Sequence, residues 1–307
     1  MKILVTGGAG FVGSHLVELL IQKKHVPIIV DNLKSGKYSN IKKFIDGKKA
    51  KFIKMDIRNK KILDLPKVDA VIHLAAIASV VESISNPTYV NDVNVNGTLN
   101  ILEFCKKKKI KKIVFTSSAA IYGNLEEKIS EISIANPSTV YGSTKLTGEQ
   151  YCKIYSDMFG INITVLRPFN IYGPRQNDTY AGVISRFSDR LNENKSPIIF
   201  GDGNQTRDFI HVVDVARAFY SALKYKKRIF EVFNLATGKS ISINELAKIF
   251  LIATNKPKLH VIYKKAIPGV VIKSSTNPNK IKQSLQFKSS IDIKEGITEF
   301  AKSQLSK

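Results

Sequence analysis

Tyr141 and Lys145 are the residues of this chain whose type and spacing first suggest chemistry. They lie four positions apart in a stretch, Thr139 to Phe159, whose pattern predicts a helix, so both side chains would share one face. A tyrosine hydroxyl with a pKa of about 10 is a poor base at neutral pH, but a neighbouring ammonium favours the phenolate and lowers that pKa. The pair could therefore move a proton, although chance alone produces this spacing often in a chain so rich in lysine.

Hydroxyl side chains at a strand end make the pair more specific. Ser117 and Ser118 stand at the carboxyl end of a predicted strand, and Ser118 precedes Tyr141 by 23 residues. In a doubly wound sheet, this end of a strand faces the ligand crevice. The alternative is that both serines serve only as capping or turn residues.

A glycine-rich turn follows the first predicted strand, with Gly7, Gly10 and Gly13 spaced as Gly-x-x-Gly-x-x-Gly. These glycines permit a tight turn, close approach to a pyrophosphate and close helix–sheet packing, and the following helix offers free N–H groups to the phosphates. The next strand ends at Asp31, whose carboxylate could accept hydrogen bonds from an adenosine ribose and would repel a 2′-phosphate. The sequence therefore predicts NAD rather than NADP, with an ordinary turn role as the alternative for Asp31.

Strands and helices alternate over the first two-thirds of the chain. The predicted strands are Ile3–Thr6, Pro27–Asp31, Lys51–Met55, Val68–Leu74, Lys112–Ser117 and Asn162–Arg167. The predicted helices between them are Val12–Lys24, Tyr89–Lys108 and Thr139–Phe159. This alternation predicts an α/β fold, a doubly wound, Rossmann-like parallel sheet with a smaller mixed α/β substrate lobe.

The rhythm changes after Arg167. Helices are predicted at Gly182–Asn192, Asn244–Ala253 and Ile291–Ser303, while Val212–Leu223 and Glu231–Leu235 suggest a return to the sheet. We expect an NAD-binding Rossmann domain of residues 1–167 and 206–236, and a smaller lobe built from residues 168–205 and 237–307.

The composition suits a globular α/β protein and excludes collagen-like, disordered and coiled-coil classes, since 43% of the 307 residues are hydrophobic and 24% are charged. The formal net charge is +23, but only eight of the 48 basic residues are arginine and the lysines are spread along the chain. Specific phosphate and base contacts favour arginine, so we expect a solvated basic surface and no nucleic-acid partner.

No apolar run approaches the roughly 18 residues that a membrane span requires, so no membrane partner is expected. The chain opens on a core strand rather than a signal peptide. Cys105 and Cys152 are too few for a disulfide framework or a metal cluster. A cytoplasmic location and no metal site are therefore expected.

These residues resemble the extended short-chain dehydrogenase/reductase family, and within it the NAD-dependent nucleotide-sugar 4-epimerases of the UDP-glucose/UDP-galactose type. The resemblance extends over nearly the whole chain. It rests on Thr6-Gly7-Gly8-Ala9-Gly10-Phe11-Val12-Gly13, Asp31-Asn32-Leu33, His73-Leu74-Ala75-Ala76, Asn94-Val95-Asn96-Gly97-Thr98, Ser117-Ser118-Ala119-Ala120-Ile121-Tyr122-Gly123, Tyr141-Gly142-Ser143-Thr144-Lys145, Arg167-Pro168-Phe169-Asn170-Ile171-Tyr172-Gly173-Pro174 and Gly201-Asp202-Gly203-Asn204-Gln205-Thr206-Arg207-Asp208-Phe209.

The resemblance implies inversion at C4 of a UDP-sugar through a transient 4-keto intermediate, with NAD regenerated in each cycle. Tyr141 would remove the proton from the sugar 4-hydroxyl, Ser118 would bond the same oxygen, and Lys145 would bond the nicotinamide ribose and tune Tyr141. The implied cofactor contacts are Gly7, Gly10, Phe11, Val12, Gly13, Asp31, Asn32, Asp56, Ile57, Leu74, Ala75, Ala76, Asn94, Ser117, Tyr141, Lys145 and Pro168. The implied substrate contacts are Ser118, Asn170, Val183, Phe200, Gln205, Arg207 and Ser274.

The chain departs from the family near its carboxyl end, where Ile267-Pro268-Gly269-Val270 replaces the common Arg-Pro-Gly-Asp. In relatives this arginine binds the diphosphate, so in this chain Arg207 would contribute a larger share of the diphosphate binding. Ser274 stands where a small residue admits N-acetyl groups, which implies that N-acetylated UDP-sugars are also accepted. A plain turn role is the alternative for Ser274.

The residues after the predicted strand that ends at Ser117 also bear on other activities of the family. A 4,6-dehydratase is rejected because Ala119-Ala120 stands where an acid and a base are needed, and a UDP-glucuronate decarboxylase is weakened by the lack of a glutamate near Ser118. C4 epimerisation of UDP-glucuronate or another nucleotide sugar stays open, as does a non-catalytic NAD-binding sensor or scaffold. A homodimer is expected by resemblance, through the helices that hold Tyr89–Lys108 and Tyr141–Tyr155.

Overall fold

A seven-stranded parallel sheet forms the centre of the protein in a computed structural model that describes residues 1–124, 128–176, 182–227, 229–266 and 275–305. The strand order is β10-β6-β5-β4-β1-β2-β3, and every neighbouring pair is parallel. The strands of the described chain are β1 (Lys2–Thr6), β2 (Val26–Asp31), β3 (Lys51–Lys54), β4 (Ala70–His73), β5 (Lys112–Thr116), β6 (Asn162–Pro168), β7 (Asn170–Tyr172), β8 (Ile198–Phe200), β9 (Thr206–His211), β10 (Phe230–Leu235), β11 (Ser240–Ser242) and β12 (Ile262–Lys264).

Helices cover both faces of this sheet and build the rest of the molecule. They are α1 (Phe11–Gln22), α2 (Lys42–Asp46), α3 (Val80–Ser85), α4 (Pro87–Asn91), α5 (Gly97–Lys107), α6 (Val140–Phe159), α7 (Val183–Asn192), α8 (Val212–Lys224), α9 (Ile243–Ala253), α10 (Asn279–Leu285) and α11 (Ile293–Leu305). Three short 3₁₀ helices lie at Tyr38–Asn40, Lys60–Asp64 and Ala119–Tyr122. Among the described residues, none of the helices combines the length and the apolar character that crossing a bilayer requires.

The central strands are apolar throughout because both faces of the sheet are buried. In β1, Ile3 and Val5 join the core formed with α1 and α8, whereas Leu4 joins the opposite core formed with α5 and α6. The predicted doubly wound fold is therefore confirmed, and all six predicted strands are present with ends shifted by at most two residues.

Two segments differ from their sequence predictions. The stretch Val212–Leu223 does not return to the sheet as a strand, because its apolar residues recur at helical spacing and pack as α8 against α1; only Phe230–Leu235 adds a strand. The stretch predicted as one helix, Tyr89–Lys108, is interrupted by a π-helical turn at Asp92–Asn96 between α4 and α5. Such turns are frequent at functional sites.

A second hydrophobic core lies beside the large sheet. Phe187 of α7, Phe250 of α9 and Phe300 of α11 meet in it. A three-stranded sheet of order β11-β9-β7 and a β12-β8 pair belong to the same part of the chain. Since β7 follows β6 after one residue, the large sheet passes directly into this smaller assembly.

Candidate active site

The glycine-rich turn after β1 is shaped by close contacts that only glycine allows. Gly7 has a φ of +70°, in the left-handed region, and its N–H donates to the Val30 carbonyl oxygen at 2.8 Å. A Cβ at Gly13 would lie 2.1 Å from the Gly7 carbonyl oxygen. The start of α1 is therefore pressed against the turn, with its first N–H groups directed toward the carboxyl edge of the sheet.

A cleft of about 310 Å³ opens over this turn. The structure gathers there sixteen of the seventeen expected cofactor residues: Gly7, Gly10, Phe11, Val12, Gly13, Asp31, Asn32, Asp56, Ile57, Leu74, Ala75, Ala76, Ser117, Tyr141, Lys145 and Pro168. Ser118 lines the same cleft. Residues from seven separate segments thus meet at the carboxyl edge, as expected for a ligand crevice in an open α/β sheet.

Asn94 is the exception, because it lies in the π-helical turn behind the cleft wall. Its Oδ1 accepts from the Ile77 N–H at 2.8 Å, and its Nδ2 donates to the Ile77 carbonyl oxygen at 3.1 Å and to Thr144 Oγ1 at 3.0 Å. Ile77 itself lines the cleft. In this structure Asn94 therefore shapes the wall and fastens it to α6.

Asp31 is buried at the tip of β2, with its carboxylate in the cleft wall. Its two oxygens accept from the N–H groups of Ala9, at 3.0 Å, and Leu33, at 2.8 Å. Burial raises the pKa of this carboxyl, and the two backbone hydrogen bonds oppose that rise. The same carboxylate thus holds the glycine-rich turn in shape and presents negative charge to the cleft.

A polar network continues the wall beyond Asp31. Asn32 Nδ2 donates to Asp56 Oδ2 at 2.9 Å. Arg58 makes an ion pair with Asp56 at 2.9 Å and another with Asp92 at 2.8 Å. Hydrogen bonding from Arg58 lowers the pKa of Asp56 to about 2, so this carboxylate stays ionised near neutral pH.

Tyr141 and Lys145 lie on the first turns of α6, which Thr139 caps through a hydrogen bond from the Gly142 N–H at 3.1 Å. Lys145 Nζ donates to the Thr116 carbonyl oxygen at 2.9 Å. Burial lowers the pKa of Lys145 to about 8. The lysine is therefore directed at the end of β5, beside the tyrosine and not bonded to it.

Tyr141 and Ser118 line the same cleft. Burial raises the pKa of Tyr141, and the influence of the Ser118 side chain opposes that rise. The raised pKa of Tyr141 differs from the sequence expectation that Lys145 lowers it. Desolvation of the buried tyrosine dominates, because the Lys145 ammonium binds the Thr116 carbonyl oxygen. Ser118 Oγ also accepts from the Ala120 N–H at 3.1 Å, so its capping role and its place at the tyrosine coexist.

Unpartnered polar atoms in the cleft indicate that the site is built for a polar ligand. Thr116 Oγ1, Ser117 Oγ and Gln176 Oε1 are buried with no hydrogen-bond partner in the part of the chain that the structure describes, and all three residues line the cleft. Such groups normally find partners in folded proteins. Together with the glycine turn and the Asp31 carboxylate, they fit a dinucleotide, whose ribose and amide groups can donate and accept.

Several further residues line the cleft that the sequence did not predict there: Lys34, Ser35, Thr116, Phe169, Ile171 and Gln176. Lys34 and Ser35 follow Asp31 closely in the chain, which is a signal that could have included them. Gln176 ends the described part of the loop after β7, and no local pattern distinguishes it.

Of the expected substrate residues that the structure describes, those other than Ser118 lie outside the cleft-lining set. Asn170 Nδ2 donates to the Asp208 carbonyl oxygen at 2.9 Å, and Gln205 Nε2 donates to that of Phe200 at 3.0 Å. Val183 begins α7. Ser274 and Ile267 fall outside the described residues.

Arg207 is a half-buried cation on β9. Its Nη1 donates to the Thr206 carbonyl oxygen at 2.8 Å, and within the described ranges no carboxylate forms an ion pair with it. Burial lowers the pKa of its guanidinium. A guanidinium in this situation has donors left for an anion.

A model of the NAD dependent epimerase/dehydratase family matches residues 3–236. The chain belongs to this family. The family named from the sequence motifs is thereby confirmed, and with it the use of NAD.

The similarity of this epimerase/dehydratase to its relatives covers nearly the whole chain. A putative UDP-glucose 4-epimerase of Methanocaldococcus jannaschii is 45% identical over 305 residues, 96% of this chain and 95% of the relative. The structure of the UDP-glucose 4-epimerase of Thermotoga maritima with UDP-glucose has a TM-score of 0.92 and 36% identity, with 98% of each chain covered. That of the UDP-glucuronic acid 4-epimerase of Bacillus cereus with UDP-glucuronic acid and NAD has a TM-score of 0.93 and 32% identity, covering 100% of this chain and 99% of the other.

Proposed function

We propose that the protein is an NAD-dependent isomerase that inverts C4 of a UDP-sugar and interconverts UDP-glucose and UDP-galactose. The observation that carries this proposal is the placement of the buried Tyr141 together with Ser118 and Lys145 in one cleft, built on a dinucleotide turn. The similarity to UDP-sugar 4-epimerases over the whole chain supports the same activity.

The cofactor roles follow from the walls of the cleft. The N–H groups at the start of α1 and the glycines before it would bind the pyrophosphate. Asp31 and Asn32 would bind the adenosine ribose, and Lys145 the nicotinamide ribose. NAD, when bound, supplies a reversible hydride acceptor and a positive charge close to Tyr141.

The proton transfer is assigned to Tyr141. Its phenolate form would take the proton of the sugar 4-hydroxyl as the C4 hydride leaves for NAD. The resulting phenol would return that proton when, after rotation of the 4-keto sugar, the hydride comes back to the other face of C4. Ser118 would hold the reacting oxygen. Because burial alone raises the pKa of Tyr141, the base form depends on the positive charge of Lys145 and of the loaded site.

Substrate binding is assigned to the second lobe and to β9, the strand that holds Arg207 and pairs with β7 and β11 in the smaller sheet. Arg207 can form paired hydrogen bonds with a diphosphate, and its lack of an ion-pair partner among the described residues leaves it free to do so. Asn170 would contact the same diphosphate, and Phe200 would lie against the base. This assignment divides the chain into an NAD-binding domain of residues 1–167 and 206–236 and a nucleotide-sugar lobe of residues 168–205 and 237–307.

The protein is also proposed to work as a homodimer in a reducing compartment such as the cytoplasm. On α6, Ile154 is 47% exposed and Met158 is 69% exposed, so this helix presents apolar surface that a second copy could cover. Cys105 and Cys152 are both free and buried, as expected where disulfides do not form.

The test is conversion of single UDP-sugars by the purified protein without added reductant, with products separated by chromatography. UDP-glucose and UDP-galactose should interconvert. Turnover of UDP-glucuronate alone would favour the second candidate, which the similarity to the Bacillus cereus enzyme supports. N-acetylated UDP-sugars test the pocket assigned to Ser274. Lack of any conversion by protein that contains NAD would contradict a UDP-sugar epimerase and would leave another nucleotide sugar or a non-catalytic sensor or scaffold role.

A further inference from the structure

An ion pair joins two walls of the cofactor cleft. Lys34 Nζ lies 2.8 Å from Glu82 Oε1. Lys34 belongs to the loop after β2 and lines the cleft, whereas Glu82 lies on α3, which follows β4. The two residues are 48 positions apart in the chain, so the contact depends on the tertiary fold.

The ion pair joins the two segments that flank the glycine-rich turn. Strand β1 lies between β4 and β2, so the segments that leave β4 and β2 lie on the two sides of the turn that leaves β1. A dinucleotide whose pyrophosphate rests on the turn would lie between these two segments, which the ion pair connects.

Both partners are held in place by their neighbours. Lys34 Nζ is 3.9 Å from the centre of the Tyr89 ring, and the Lys34 N–H donates to Asn32 Oδ1 at 3.0 Å. Ser79 caps α3 by accepting from the Glu82 N–H at 3.0 Å. The contact is therefore oriented from both ends, which reduces the entropy lost in forming it.

We propose that Lys34 and Glu82 form a latch that slows the release of NAD from the cleft. This inference rests on the assignment of the cleft to NAD. An epimerase that returns the hydride within each turnover has no need to exchange its cofactor, so a slow release favours the reaction. Because the pair is partly exposed, its contribution should be modest and should weaken as salt is added.

The test is the dissociation rate of NAD from the purified holoenzyme, measured by trapping released NAD with an excess of a dehydrogenase that reduces it. Lys34→Met and Glu82→Gln should each speed release about fivefold at low salt, and the double variant should be no faster than either. The charge exchange Lys34→Glu with Glu82→Lys should restore slow release. In wild type, 0.5 M salt should bring the rate toward that of the variants.

The matched control is Lys43→Met. Lys43 pairs with Glu18 at 2.8 Å across two other elements and does not line the cleft, so its loss should not change the release rate. Equal thermal midpoints of all apo variants would separate release from folding.

Two results would overturn the latch. Unchanged release from both single variants, in protein that holds NAD, shows that the pair does not restrain the cofactor. Faster release from Lys34→Met with slower release from Glu82→Gln shows that Lys34 binds the cofactor phosphates and that Glu82 competes with them. Wild-type protein that binds no NAD would instead contradict the proposed function.

Discussion

Arg167 and Glu149 form a buried two-point ion pair that fastens the helix of Tyr141 and Lys145 to the sheet. Arg167 Nε donates to Glu149 Oε1 at 2.9 Å and Nη2 donates to Oε2 at 2.6 Å, and the two side chains are 9% and 6% exposed. Glu149 lies one turn beyond Lys145 on α6, and Arg167 lies on β6. The pair therefore fixes how far the catalytic helix stands from the strand ends.

Glu149→Gln should lower the free energy of unfolding by about 3–5 kcal/mol, because Arg167 would keep a buried charge without its partner. Equilibrium urea unfolding measures this loss. Lys153→Met breaks an exposed pair on the same helix and should cost less than about 1 kcal/mol. Equal losses for the two variants would contradict a special role for the buried pair.

Sequence spacing sufficed for the parts of the site that are local in the chain. Gly7 to Gly13 form one turn, and Tyr141 and Lys145 lie on one helix, so periodicity alone places them. Contacts between distant segments left no such signal. The Lys34–Glu82 and Arg167–Glu149 pairs depend on which strands are neighbours, and the burial that raises the pKa of Tyr141 depends on the whole cleft.

Tyr141→Phe should reduce turnover of the UDP-sugar to less than a few percent of wild type and leave NAD bound. Only the hydroxyl that moves the proton is removed, while the ring still fills its place. Turnover by chromatography and NAD content by absorbance after gel filtration provide the two measurements. Tyr151→Phe, on the same helix and outside the cleft lining, should keep wild-type turnover.

Asp31→Asn should weaken NAD binding and reduce the preference for NAD over NADP. The amide keeps one acceptor for the Ala9 or Leu33 N–H but loses the charge that repels a 2′-phosphate. Asp31→Ala should weaken NAD further, because both N–H groups lose their partner. Titration calorimetry with each dinucleotide tests this. Equal affinity of wild type for NAD and NADP would show that Asp31 does not face the ribose.

Acid should destabilise the protein through His73. Thr6 Oγ1 accepts hydrogen bonds from two backbone N–H groups, each at 3.2 Å. The Thr6 hydroxyl therefore donates its own hydrogen bond to His73 Nδ1, at 2.7 Å. On the other side of the ring, His73 Nε2 donates to Thr98 Oγ1 at 3.0 Å. The buried ring is thus neutral, and burial, with a smaller effect of Lys145, lowers its pKa to about 3.

His73 therefore binds a proton near pH 6.5 in the unfolded chain, but only at much lower pH in the folded protein. The contribution of His73 to the free energy of unfolding is fully present above pH 6.5 and is lost as the pH falls toward 3. The loss reaches about 2–3 kcal/mol at pH 4.5. Unfolding in urea at several pH values should show a smaller pH slope for His73→Asn than for wild type. His260→Asn, at an exposed position, should keep the wild-type slope.

Arg207→Ala should raise KM for the UDP-sugar much more than it lowers kcat. The guanidinium is assigned to the diphosphate, which is bound alike in the ground and transition states and lies away from C4. The rise should be large, on the order of a hundredfold, because the variant would lose a paired, charge-assisted contact with the diphosphate. Arg207→Lys should recover only part of the loss, since an ammonium cannot form the paired hydrogen bonds.

NAD content should not change in either variant, because Arg207 lies outside the cleft lining. An unchanged KM in Arg207→Ala would place the diphosphate elsewhere, and a fall in kcat without a rise in KM would place Arg207 at the reacting sugar.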